Sequence, residues 1–223
     1  MPINFDWFDL RPYANKYFCE TGLFHGEGAM KAVASGLFDQ VISIEVNRQL
    51  VDIARERFRL VIAAGLLKVV HDDSSNLWEH IREFDHPTTF FLDAHGHWVQ
   101  ERRLADKRDA AMCPGADGLE PGEPQACICP LLLELEAIQR HPLASRHTIL
   151  IDDRRCLQPN WSHPTQSWWR GLTEEAVIAK LRSINPEYQI RFVDGLVPGD
   201  IIAAVPPVAA ADEPRAHGAG SGL

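Results

Sequence analysis

Acidic residues recur where apolar runs stop, and turn-forming residues follow them. Glu20 opens Glu20-Thr21-Gly22-Leu23-Phe24-His25-Gly26-Glu27-Gly28. Glu45 closes a run from Gln40, Asp73-Ser74 follow one that ends at Val70, Asp93 follows Phe90-Phe91-Leu92, and Asp152-Asp153 follow Ile149-Leu150-Ile151. Gly22 and Gly26 suit a tight strand-to-helix turn whose backbone can approach a ligand closely. A carboxylate beside such a turn repels a pyrophosphate and favours a cationic ligand, such as the amino group of S-adenosylmethionine. Glu45 stands twenty-five residues beyond Glu20, near the spacing at which an acid accepts both hydroxyls of a ribose. Asp73 or Ser74 could orient an adenine amino group, or cap the helix that follows.

The run from Thr21 to Gly28 also fits the glycine turn of short-chain dehydrogenases. Those enzymes need a Tyr followed four residues later by Lys, and Tyr13, Tyr17 and Tyr188 are followed at that distance by Tyr17, Thr21 and Phe192. The dehydrogenase dyad is missing.

The elements that must position these residues alternate. Strands are expected at Tyr17-Phe18-Cys19, Gln40–Ile44, Leu66–Val70, Thr88–Leu92 and Thr148–Ile151. Helices are expected from Gly26 to Ala34 with Gly36 as stop, from Asn47 with Leu50, Ile53, Ala54, Phe58 and Val61 inward, from Ser75 to Glu83 with Leu77, Trp78 and Ile81 inward, from Pro130 to Arg140, and from Thr173 to Ile184. Gln189–Val193 and Ile201–Val205 read as an antiparallel pair joined by a short connection. Repeated strand–helix–strand units mean a parallel sheet covered on both faces, whose ligands bind at the carboxyl ends of the strands.

The chain has 223 residues, enough for one α/β domain, and its 22 Lys+Arg against 31 Asp+Glu give a net charge of −9. Such a surface does not attract polyphosphate by bulk charge, so no nucleic acid and no membrane is expected as partner. No stretch of 18 apolar residues exists, and the first residues carry neither a basic start nor an apolar signal core. Five cysteines, an odd number, do not form a disulfide framework, and a cytoplasmic location is the default. One domain is expected over 1–207, with a long inserted loop over 96–129 and a disordered tail over 208–223.

Glu20-x-Gly22, Ile44-Glu45-Val46-Asn47, Asp73-Ser74 and Phe91-Leu92-Asp93 together resemble the ordered motifs of class I S-adenosylmethionine-dependent methyltransferases, over roughly Lys16 to Val205. The resemblance implies a Rossmann-like doubly wound sheet of seven strands in the order 3-2-1-4-5-7-6, with strand 7 antiparallel. It implies Glu20 and Gly22, with Phe24 and Gly26 of the same turn, near the methionine part of the cofactor. It puts Glu45 on the ribose, Asp73 and Ser74 near the adenine, and Asp93 at the cofactor's rim.

In that order strands four and five are neighbours, so Asp93, Asp152 and Asp153 would converge and repel, which Mg²⁺ or another divalent cation would resolve. The arrangement is similar to that of metal-assisted O-methyltransferases of the catechol and macrocin type, whose ligands map to Asp93, Asp152 and Asp153. Catechol-type enzymes place a Lys base after the fourth-strand Asp. No Lys stands there in this chain, and His95 or His97 is the available base.

Cys113, Cys127 and Cys129, with His95 and His97, raise a zinc alternative whose spacing matches no standard pattern. Trp161, Trp168 and Trp169 follow the fifth strand and could wall an aromatic acceptor or pack as a satellite core. Phe5-Asp6-Trp7-Phe8 reads as a lid or a homodimer contact. The expectation is O-methylation of a hydroxylated small molecule with divalent-metal assistance. The alternatives are metal-independent transfer to N, O or C, or a non-catalytic S-adenosylmethionine-binding protein.

Overall fold

A computed structural model of the chain describes residues 8–96 and 129–207. The segment Phe5 to Trp7, most of the expected insertion with His97, Trp98, Cys113 and Cys127, and the tail over 208–223 lie outside the described residues.

The strands are β1 (Tyr17–Thr21), β2 (Gln40–Glu45), β3 (Leu67–His71), β4 (Thr88–Leu92), β5 (Thr148–Ile151), β6 (Gln189–Val193) and β7 (Ile201–Val205). The helices are α1 (Glu27–Ser35), α2 (Arg48–Arg57), α3 (Arg59–Ala63), α4 (Leu77–Ile81), α5 (Leu131–Gln139) and α6 (Glu174–Ile184). The sheet order is β3-β2-β1-β4-β5-β7-β6, and β7 runs antiparallel to both β5 and β6. This is the α/β, Rossmann-like doubly wound sheet that the sequence leads one to expect.

Strand residues alternate between two cores, as the period of two requires. Cys19, Phe90, Leu92, Ile149 and Ile151 pack with residues of α4, α5 and α6. Phe18, Phe91 and Leu150 pack with residues of α1 and α2. Asn47 caps α2 by accepting from the backbone N–H of Gln49 and Leu50. The inward stripe there is Val51, Ala54 and Phe58, whereas Ile53 is 63% exposed. Ala54 and Phe58 thus face inward as expected, Val51 takes the place expected of Ile53, and the helix breaks at Phe58 and restarts as α3. The expected helix from Ser75 is a 3-10 turn over Ser74–Asn76 followed by the short α4.

Register decides what these elements deliver. Thr21 lies opposite both Ile44 and Leu92, and Leu92 lies opposite Ile151. β1, β2, β4 and β5 thus end level. The ladder runs one step further, with Gly22 N–H donating to Ile44 O, Asp93 N–H to Thr21 O and Asp152 N–H to Leu92 O. Residues just past these strands are pinned along one edge. At the other edge His147, fully buried, accepts the Thr88 N–H on Nδ1, and its Nε2 lies 2.9 Å from His141 Nδ1.

Gly26 caps α1 at φ 76°. A Cβ there would stand 2.4 Å from Cε2 of Phe58, which is buried. Gly26→Ala must therefore displace the ring that joins α2 to α3 while adopting a left-handed backbone. It is expected to cost roughly 2–4 kcal/mol in urea unfolding. A cost below about 0.5 kcal/mol would show that the ring yields freely.

Candidate functional site

The turn after β1 is built around carboxylates. Glu20 is only 3% exposed. Its Oε1 accepts the Ser43 hydroxyl at 2.6 Å, and the Ala29 amide in the first turn of α1 also donates to it. Burial pushes its carboxyl up to about 8, and the neighbouring Glu45 adds to the rise. Gly22 has φ 86°, and a Cβ there would stand 2.8 Å from the Asp93 carbonyl oxygen. Only glycine lets β4 finish so close to the turn. Phe24, itself at φ 49°, leaves its ring 48% exposed and stacked on His25 at 3.9 Å.

The Phe24 N–H donates to Glu45 Oε2 at 3.0 Å, and the Asn47 N–H donates to Oε1 at 2.8 Å. The Val46 amide adds a weaker contact, and a carboxylate with about four lone-pair sites still has room for a further donor. Burial raises its carboxyl, against the opposing pull of those amides. Asp73 caps the following turn by accepting the Ser75 N–H, which is the capping role the sequence left open. Ser74 is buried.

Beside Ser74 lies a residue that sequence reasoning missed. Glu134 on α5 is fully buried, and among the described residues no donor stands within normal hydrogen-bond geometry of its oxygens, the hydroxyls of Ser74 and Thr21 acting from further off. Burial pushes its carboxyl up to about 8, and the hydroxyls of Ser74 and Thr21 oppose only part of that rise. The available signal was one acid inside the apolar run Leu131-Leu132-Leu133-Glu134-Leu135.

Asp93 and Asp152 form the next part of the rim. Asp93 Oδ1 is buried, with no hydrogen-bond partner among the described residues. Burial raises the Asp93 carboxyl, and the nearby Asp152 raises it further. Burial raises Asp152 too, with Asp153 second.

Two of the three expected metal ligands, Asp152 and Asp153, gather, and Asp93 feels the charge of both. Among the described residues, the group whose ligand atoms lie within 4.8 Å of one another is Asp152, Asp153 and Asp200. Asp200 comes from the start of β7, which is antiparallel and so begins at the edge where β5 ends. Two of the three are already engaged. Arg155 Nη2 lies 2.6 Å from Asp153 Oδ1, and Nη1 pairs with Asp200 Oδ2. Asp200 Oδ1 accepts the Arg155 backbone N–H at 2.8 Å. A divalent cation needs several carboxylate oxygens plus water, and here Arg155 already takes both oxygens of Asp200 and one of Asp153.

His95 is exposed and stacks on Trp168 with centroids 5.4 Å apart. The same junction is fastened by Cys129, whose N–H donates to Trp168 O and whose thiol lies 3.2 Å from Ala94 O. Burial raises that thiol well above its ordinary value, the opposite of what a zinc thiolate needs. Past β5, a cleft of about 620 Å³ is lined by Leu157, Pro159, Trp161, Trp169, Arg170 and Thr173 among others. Trp161 and Trp169 meet edge to face at 6.4 Å. Trp169 is buried, so the ring both packs and forms wall.

No protein-family model matches the chain, and no curated protein matches it. Solved structures do. The SAH-bound methyltransferase PaMTH1 of Podospora anserina is 16% identical, over 86% of this chain and 71% of that one, with a TM-score of 0.52. A Staphylococcus aureus protein named as a caffeoyl-CoA O-methyltransferase is 10% identical, over 88% and 78%, with a TM-score of 0.51. A Clostridium thermocellum protein named as an rRNA-methylase is 9% identical, over 87% and 91%, with a TM-score of 0.52. At these identities the likeness shows the fold alone: the chain has the fold of S-adenosylmethionine-dependent methyltransferases.

The buried acids set a sign for stability against pH. Glu20 and Glu134 titrate near 8 in the native chain instead of 4.5. A raised carboxyl favours the native state while protonated, fully below about 4.5, and that contribution is lost as pH climbs through 8. His147 acts in a lower window, because burial pushes it down from 6.5 to about 3; its contribution is complete above 6.5. From pH 6.5 to 8 the carboxylates alone set the slope. Stability of the ligand-free protein is expected to fall there by roughly 1–3 kcal/mol in urea titrations, and Glu134→Gln is expected to remove part of that slope. A rise across the window would contradict the assignment.

Proposed function

We propose that the chain transfers the methyl group of S-adenosylmethionine to a hydroxyl oxygen of a small molecule. One observation carries the reading: Glu20, Glu45 and Asp93 are drawn to one edge beside a glycine turn, the first two buried and Asp93 half-buried with its Oδ1 enclosed, and among the described residues no Lys or Arg pairs with them. A sulfonium nucleoside that also carries an ammonium supplies the missing positive charge. Its ribose hydroxyls can donate to the lone pairs left on Glu45, and its ammonium to Asp93 Oδ1, the oxygen without a partner. The shared fold supports the reading, since PaMTH1 was solved with SAH bound.

In the proposed step the acceptor oxygen attacks the methyl carbon in line with the C–S bond. As C–O forms, the C–S pair returns to sulfur and leaves S-adenosylhomocysteine. The hydroxyl proton goes to a base, for which His95 is the described candidate, beside Trp168 at the mouth of the site. His97 shares the role assigned by sequence but lies outside the described residues. The cleft lined by Trp161 and Trp169 suits an aromatic acceptor, and the net charge of −9 opposes an RNA acceptor. No step runs through Mg²⁺, because Arg155 already engages Asp153 and Asp200.

Calorimetry tests this. S-adenosylhomocysteine and S-adenosylmethionine are expected to bind, NAD⁺ is not, and Glu45→Ala is expected to weaken binding by roughly 10- to 100-fold. Binding at pH 7 should release protons, because a cation brought against protonated Glu20 lowers its raised carboxyl. Titrations in two buffers of different ionisation heat measure that release. Binding of NAD⁺ with no response to S-adenosylmethionine would defeat the reading. A panel of phenols beside a structured RNA then separates the acceptor classes.

A further inference from the structure

Arg155 follows β5 by four residues and closes a ring of contacts between two chain segments. Its guanidinium meets Asp153 and Asp200, and its own amide holds the second oxygen of Asp200. Arg154 N–H donates to Asp200 O, so the turn after β5 is stapled to the start of β7 twice over. The three carboxylates it faces are 8%, 7% and 3% exposed. Charges so removed from water require a partner. A guanidinium bonds two carboxylates through separate nitrogens and is never deprotonated.

We propose that Arg155 holds the place of a divalent cation in this fold: its guanidinium neutralises Asp152, Asp153 and Asp200, and the site takes no metal while it is there. The side chain is 39% exposed, and Nε is the one guanidinium nitrogen not spent on the two aspartates, which would leave it for an acceptor oxygen. The role at the acceptor rests on the methyl-transfer reading. The occupancy of the acidic cluster does not, and it is tested without any turnover.

Manganese is the probe, because free Mn²⁺ loses its electron paramagnetic signal on binding. The full-length wild-type chain is expected to leave the signal unchanged up to about 1 mM metal, whereas Arg155→Met should bind at least about tenfold more tightly. Adding Asp200→Asn to Arg155→Met should abolish the gain, which locates the ion among these carboxylates. Arg155→Lys retains a positive charge but not the fork, and should fall between the two. Cooperative urea unfolding of each variant checks the fold. Micromolar Mn²⁺ binding by the wild type would overturn the proposal, as would a folded Arg155→Met that binds no better. If Arg155→Met fails to fold, the wild-type and Arg155→Lys titrations decide alone. None of these outcomes depends on S-adenosylhomocysteine binding, so failure of the methyl-transfer reading would be seen separately.

Discussion

Charge taken out of water without a countercharge is the constraint on which the site depends. Level strand ends leave little choice about where the next side chains go. Once Thr21, Ile44, Leu92 and Ile151 share a register, Glu45, Asp93 and Asp152 must leave the sheet into common space, joined by Glu20 from the last turn of β1. Backbone amides and one hydroxyl serve Glu20 and Glu45, but they do not offset desolvation. The carboxyls remain shifted upward, each with burial as its largest cause. Such shifts collect where a fold has been arranged around a ligand rather than around its own stability.

The rim is divided in two. Around β1, β2 and β4 the acids have no cationic side chain of their own among the described residues. Around β5 and β7 the acids have Arg155. If burial alone explained both, there would be no reason for a guanidinium on one side only. The asymmetry is what a site would show if a diffusible cation served one half and the chain itself served the other. Glu134 belongs with the first half: it lies against Thr21 and Ser74, and burial keeps its carboxyl protonated up to about 8.

The fold was legible because alternation and turn chemistry are local. Strand positions came from apolar runs, and Asn47, Thr173 and Gly36 cap or stop helices as their residue types suggest. In α2 one position was misread, because Ile53 is apolar yet faces solvent while Val51 is buried. Glu20, Gly22, Glu45 and Asp93 were legible as candidates because each stands at or just past the carboxyl end of a strand. The partners of Asp153 were not. Asp200 lies far away in sequence, and its arrival beside β5 requires the antiparallel direction of β7 to be carried through to its first residue. Glu134 drew no attention in the sequence because a single acid in a helix ordinarily faces solvent, whereas here Leu133 and Glu136 are the exposed residues and Glu134 is buried.

A guanidinium and a divalent cation are not equivalent partners for an acceptor oxygen. A metal acts as a Lewis acid and lowers the pKa of a bound hydroxyl strongly. A guanidinium contributes charge and directed N–H donors, and its effect on acidity is weaker. On the proposed reading, the acceptor must then bring some acidity with it or find a base nearby. A phenol meets the first condition and an aliphatic alcohol does not. The second points to His95, since no Lys stands in the position a catechol-type enzyme would use. The aromatic lining of the cleft past β5 agrees with the same choice. Three independent features, the arginine in the acidic cluster, the absent lysine and the tryptophan wall, therefore narrow the acceptor toward one kind of molecule.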